Sequence, residues 1–451
     1  MRALLPCLAL VLAFGCDDDP EPAVDDAPPT EGAAEEAPAE PTPPSPGADE
    51  GEEDPLAGLD DPEALAAEVP AGALPAVSAE SVQAAAPERG CATFGEQPLR
   101  VWTRPGPAHV VAVGEDGFAL AGYAANAAGD GEEVWLLTAS PTRAPRPVLR
   151  EDLPHALSVP RVAGPGLGRM DDGHVGLVTL DGAADARFTI VQLGGRRAPW
   201  RELGPHADQR FAPAIGLRGG RHAVAWTEGT EEGQRVHYAA FDPTGRELAR
   251  HDLTQESMGA AAPVFADGAT EDLIFIDPRE ATSVLYRADL TTDPPPVEVL
   301  RPVSSVYDPA ALAPVVLGER ALIGYTAVGM AAATAVGLVW KEGESASAPQ
   351  ALVPSEGYGA LHVSAAAAEG RAVFAADHPK GRERGAAREV WVRVVEPTEG
   401  GATLGEPLTL AAPDGTGRWA HLARHPSGTY ALVFTAGDGV YLHFLRCDDA
   451  G

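Results

Sequence analysis

The sequence predicts an all-β fold, a seven-bladed β-propeller over residues 91–451, and three observations predict it. Apolar, strand-like runs recur in pairs about 50 residues apart, the spacing of four-stranded blades. The last unit lacks an edge strand that the start of the domain supplies. Two cysteines, Cys91 and Cys447, bracket the whole array.

The chain begins with a separate kind of segment. Residues 1–15 carry one early positive charge, Arg2, followed by the mostly apolar ALLPCLALVLAFG, too short for a permanent bilayer-spanning helix and shaped like a signal peptide. The residues before Cys16 read LAFGC and resemble a bacterial lipobox. That resemblance implies cleavage before Cys16 and lipidation of its thiol and amine, with palmitate among the acyl chains; ordinary signal cleavage and a retained anchor are the alternatives. Several acyl chains anchor firmly, since each buried methylene adds about 0.8 kcal/mol.

Residues 16–90 form the second segment. Between Asp17 and Gly90 there are 21 acidic residues, one basic residue, 14 prolines and no aromatic side chain, so the segment cannot bury enough apolar surface to offset its ordering entropy. It reads as a disordered, self-repelling stalk, about 50 Å across as a random coil and longer once charge and proline extend it. It contributes most of the formal net charge of −33.

Residues 91–451 change character, with mixed charge and all the tryptophans and tyrosines. One set of runs is FALAGYA, HVGLVTL, HAVAWTE, DLIFIDP, ALIGYTA, AVFAADH and YALVFTA, beginning near Phe118, His174, His222, Asp272, Ala321, Ala372 and Tyr430. A second set follows across polar or Gly-rich turns: VWLLTA, RFTIVQL, RVHYAAF, SVLYRADL, AVGLVWK, EVWVRVV and GVYLHFL. Alternation and enrichment in β-branched and aromatic residues mark both sets as strands. Six of the seven second runs are followed by an edge element such as PVLRED or EPLTLA. The seventh edge lies at the other end: GEQPLRVW (Gly95–Trp102) is similar to GEPLTLA (Gly405–Ala411), so one N-terminal strand is expected to complete the last blade and remove the exposed edges. With Cys7 in the signal and Cys16 at the lipid site, Cys91 and Cys447 are left, one just before the closing strand and one at the end of the strand beside it. A disulfide is expected there, two separate buried thiols being the alternative.

The phrases VAWTEG and RVHYAAFDPTGREL, within residues 224–248, resemble blade sequences of bacterial lipid-anchored β-propeller lipoproteins. The resemblance implies a scaffold with varied functions, including protein binding, glycan binding and hydrolysis, and fold does not choose among them. WD pairs and the S-x-D-x-G-x-T-W box of sialidases are absent.

A propeller's channel mouth gathers the loops and inner-strand ends, and the candidate binding residues placed there are Arg161, His206, Asp208, Arg210, Tyr307, Asp308, Tyr358, Trp419 and His421. Asp208 and Asp308 are the carboxylates that a hydrolase would need to bring together. No H-E-x-x-H, Cys/His cluster, calcium-loop order or Walker motif occurs, so no metal or cofactor is expected. The acidic whole argues against nucleic acid. The reading taken is a monomeric, noncatalytic binding or assembly module of the bacterial cell envelope, lipid-anchored and facing the periplasm or the cell exterior, for a protein partner or an envelope glycan. The alternatives are a secreted glycan-directed hydrolase or lyase using the channel mouth, and a structural envelope protein.

Overall fold

The computed structural model describes residues 90–447 apart from connecting segments, the longest being 155–162, 305–311, 341–349, 353–361 and 381–386. The signal segment, Cys16, the linker up to residue 89, and Arg161, Tyr307, Asp308 and Tyr358 lie outside the described residues.

All the described elements are strands, and they pair into seven antiparallel sheets. Six are built from consecutive chain: they start with the inner strands Ala108–Val113, Gly166–Arg169, Ala214–Arg218, Ala261–Phe265, Leu312–Leu317 and Val363–Ala368. The seventh runs Arg418–Arg424, Thr429–Ala436, Gly439–Cys447 and then returns to the start of the domain.

The second strand of each sheet explains why the sequence is so apolar there. Gly117–Ala125 is buried along nearly its whole length, because each of its faces meets another sheet. Phe118 and Leu120 pack with Trp102, Trp135, Val433, Leu442 and Phe444 on one side, and Ala119, Ala121 and Tyr123 pack with Val175 and Leu177 on the other. A strand covered on both faces loses polar alternation and reads as a continuous apolar run. One such cluster lies between each successive pair of sheets, and one between the seventh and the first.

The fold class expected from sequence is corrected in three respects. Blades are not uniformly four-stranded: three of the sheets have five strands, because the edge is split into two short pieces. The single closing strand over Gly95–Trp102 is replaced by two, Cys91–Thr93 and Leu99–Trp102, both paired with Gly439–Cys447. Cys91 does not precede the paired strand but belongs to it, directly opposite Cys447, and the two are joined by a disulfide. The physical reason is the same in all three cases: an outer strand of a strongly twisted sheet follows its neighbour only briefly before a bulge or loop, as the register shift between Arg100 and Trp102 records.

Backbone approaches between elements are close enough to dictate residue type. A Cβ added to Gly106 would lie 1.8 Å from the Tyr123 carbonyl oxygen, which is backbone and cannot rotate away. Gly106→Ala is therefore expected to destabilise the domain by about 2–3 kcal/mol, read as a lower urea midpoint at unchanged slope. An unchanged midpoint would show that this segment shifts freely.

Candidate functional site

The inner strands surround a cavity of about 880 Å³. Its two ends differ. Near the inner-strand starts it is lined by His109, Arg210, His362, Trp419 and His421; near their ends by Arg169, Asp171, Arg218, Asp267 and Arg424.

The histidine end is built around one carboxylate. Asp377, on the second strand of the sixth sheet, has no exposed surface. Its Oδ1 accepts the His362 backbone N–H at 3.0 Å and Arg388 Nη2 at 3.0 Å. Its Oδ2 accepts His362 Nδ1–H at 3.3 Å and the Trp419 backbone N–H at 3.3 Å. Burial alone would raise this carboxyl, but the His362 hydrogen bond and the charges of His362 and Arg388 outweigh it and hold Asp377 well below the usual carboxylate range. With its lone pairs engaged by four donors, Asp377 serves to fix the sixth and seventh inner strands relative to each other.

Trp419 is held on the other side of that bond. Its φ is 52°, in the left-handed region, which costs a bulky L-residue about 1–3 kcal/mol. The pairing of Arg418–Arg424 with Thr429–Ala436 shifts register between Arg418 and His421, so the indole stands at a bulge. Bulges beside a site re-aim a side chain, and here the half-buried indole lines the cavity in a T-shaped contact with His362, the ring centroids 5.9 Å apart. Strain stabilised by a buried charge marks the position as more than a packing choice.

His109 and His421 complete the wall. They stack with centroids 4.3 Å apart, and Val110 N–H donates to His421 Nδ1 at 3.3 Å across the boundary between the first and seventh sheets. Each ring lines the lumen and is half-buried. Burial lowers His421 to about 4, and burial, followed by the charges of His421 and His362, lowers His109 well below its ordinary value. Both rings are neutral at pH 7.

Of the residues expected at this mouth, Arg210, Trp419 and His421 line the cavity there. Asp208 and Arg210 pair with each other, Arg210 Nη2 to Asp208 Oδ2 at 2.6 Å, and Gln234 Nε2 adds a further donor to Asp208 at 3.1 Å. His206 is exposed with φ 60° and does not line the cavity. Among the described residues no group of three or more His, Cys, Asp or Glu has metal-binding geometry. Sequence reasoning missed His109, His362, Asp377 and Arg388. The signal was there for the histidines: AHV, LHV and AHL recur at the starts of the first, sixth and seventh inner strands.

The fold and this mouth define a β-propeller with a lined channel. No family model and no curated protein matches the chain. Among solved structures it is similar to the BP39L lectin from Burkholderia pseudomallei, with a TM-score of 0.52 and 10% identity over 78% of this chain and 98% of that one. It is also similar to the β-propeller domain of the Trilobed protease from Pyrococcus furiosus, described as an open velcro topology, with a TM-score of 0.41 and 9% identity over 76% and 96%. A third is the Aleuria aurantia lectin, a fungal protein described as six-bladed, with a TM-score of 0.39 and 12% identity over 68% and 96%. What the BP39L lectin shares with the chain is the fold alone. The expectation of a recognised class of seven-bladed, lipid-anchored propeller lipoproteins has no matching family behind it and is withdrawn.

Proposed function

We propose that the domain is a carbohydrate-binding propeller that takes its ligand at the histidine and tryptophan end of the channel. The observation that carries this reading is the lining itself: an indole at a strained bulge beside histidines kept neutral, at one end of a cavity of about 880 Å³. Sugars present apolar C–H faces and uncharged hydroxyls, and they are held by aromatic platforms and neutral hydrogen-bonding groups. The likeness of fold to the BP39L lectin supports the same direction. A protein partner has less support, since the exposed large apolar side chains among the described residues, Leu217, Leu248 and Val299, sit on three different strands and form no run along any of them.

We propose separately that Cys16 carries a lipid, a reading supported by its lipobox-like context LAFGC. One measurement tests each reading. Binding of the oxidised full chain to an array of envelope and host glycans is expected to select a small set, and a blank array beside avid capture of a purified protein would reject it. Metabolic labelling with a palmitate analogue is expected to mark the wild type and leave Cys16→Ser unlabelled; label on both would remove the anchor.

A further inference from the structure

The hydrogen-bond partners of the rings at the mouth determine what chemistry they offer. His421 Nδ1 accepts a backbone N–H from Val110, and an imidazole nitrogen that accepts carries no proton. The His421 proton is therefore on Nε2, which makes that atom a donor in a ring that stays neutral. Two residues earlier on the same strand, Trp419 lines the same cavity at a bulge, with its backbone N–H held by Asp377. Asp377 also takes the proton-bearing Nδ1 of His362, whose ring stands edge-on to the indole. One carboxylate thus sets the backbone of the platform and the orientation of the ring beside it.

Among the described residues, the carboxylates and guanidinium groups at this end are paired. Asp377 is matched by Arg388, and Arg210 by Asp208. Among the described residues, the other charged groups that line the cavity, Arg169, Asp171, Arg218, Asp267 and Arg424, lie at the opposite ends of the inner strands. Among the described residues, a ligand seated on Trp419 and His421 meets the indole face and the neutral His421 and His109 rings.

We propose that Trp419 and His421 form a subsite for one uncharged pyranose ring, the indole stacking on its C–H face and His421 Nε2–H donating to a ring hydroxyl, with Asp377 as the positioning residue. This rests on the carbohydrate reading above and narrows it to a ligand class and to named atoms.

The test is calorimetric titration of the oxidised full chain with methyl glycosides of neutral hexoses, of deoxyhexoses and of a uronic acid, together with the glycan array. Trp419→Ala is expected to weaken binding of the preferred neutral glycoside about tenfold or more, the size expected for loss of a stacking platform. Trp419→Phe is expected to retain most of it, and this variant carries the test where the alanine fails to fold. His421→Ala is expected to cost about fivefold, one donor's worth. Asp377→Asn is expected to weaken binding and to change the ring nitrogen shifts of His362, a signature that a purely structural loss would not produce at an unchanged melting temperature. Unchanged affinity in both Trp419→Ala and His421→Ala would overturn the subsite while leaving carbohydrate binding elsewhere on the domain intact. Preference for the uronic acid would overturn the uncharged class. A chain that binds no glycoside and no array glycan would overturn the carbohydrate reading itself.

Discussion

Replacing Cys91 and Cys447 by serine is expected to lower stability by about 4–6 kcal/mol, which for a domain of this size is a fall of roughly 5–8 °C in melting temperature. The bond links residues 356 apart, so it removes a long loop's closure entropy from the unfolded chain; for that separation the chain-entropy relation gives about 6 kcal/mol, at the top of its range. The folded side of the balance matters as well. Cys91 stands opposite Cys447 at the end of a three-residue strand, and that strand with Leu99–Trp102 is all that the N-terminal part of the domain contributes to the seventh sheet. Phe94 and Trp102, between the seventh and first sheets, are buried under the same seam. Without the bond this edge is expected to fray first, so limited proteolysis near residues 90–102 should precede global unfolding in the double variant or under reductant. A melting temperature unmoved by reduction would mean that strand pairing and the Phe94–Trp102 packing hold the seam by themselves.

Much of the fold is legible in the sequence because a strand buried on both faces has few acceptable residues. FALAGYA, HAVAWTE and YALVFTA each fall inside an observed second strand, and VWLLTA, RVHYAAF and GVYLHFL inside the third strands they pair with. Pairing of the N-terminal segment with the last strand was legible from the likeness of GEQPLRVW to GEPLTLA, and the two cysteines supported it. The split edges were not legible, since short outer strands are exposed on one side and carry little pattern; Arg201–Gly204 and Leu408–Ala411 each pair only briefly with the strand beside them. The site divides in the same way. Trp419 and His421 stand out by residue type near an inner-strand start, whereas Asp377 reads as the end of an apolar run, AVFAADH, and nothing local to it reveals a buried carboxylate serving three elements. Such a role depends on contacts between residues 362, 377, 388 and 419, which only the folded sheets bring together.

Acid is expected to destabilise the domain in two separate windows. His421 and His443 are held neutral by burial at about 4, against an unfolded value near 6.5. Between those values the unfolded chain binds protons that the folded chain refuses, so stability is flat above about pH 6.5, falls as pH drops toward 4, and gains no further loss from these two groups below that. Each costs about 3 kcal/mol over the whole window, the fall from 6.5 to about 4 being about 2.5 units at about 1.4 kcal/mol per unit. His109 adds to the same window in the same direction, and its proximity to His421 means that a proton on either ring makes the second harder to add. Asp377 acts in the opposite sense, being held ionised; its contribution is present above the unfolded carboxylate value near 3.9 and is lost as pH falls below it. Urea midpoints measured from pH 8 to pH 3 are thus expected to show a plateau, a first decline through the histidine range and a second below pH 4. His443→Gln should flatten the first decline by about one proton's worth and leave the second untouched. The ring packs against Phe434 away from the channel mouth, so this variant separates the acid response of the core from that of the site. A midpoint that stays constant from pH 7 to pH 4.5 would mean that the folded chain accepts those protons and that burial does not hold these rings neutral.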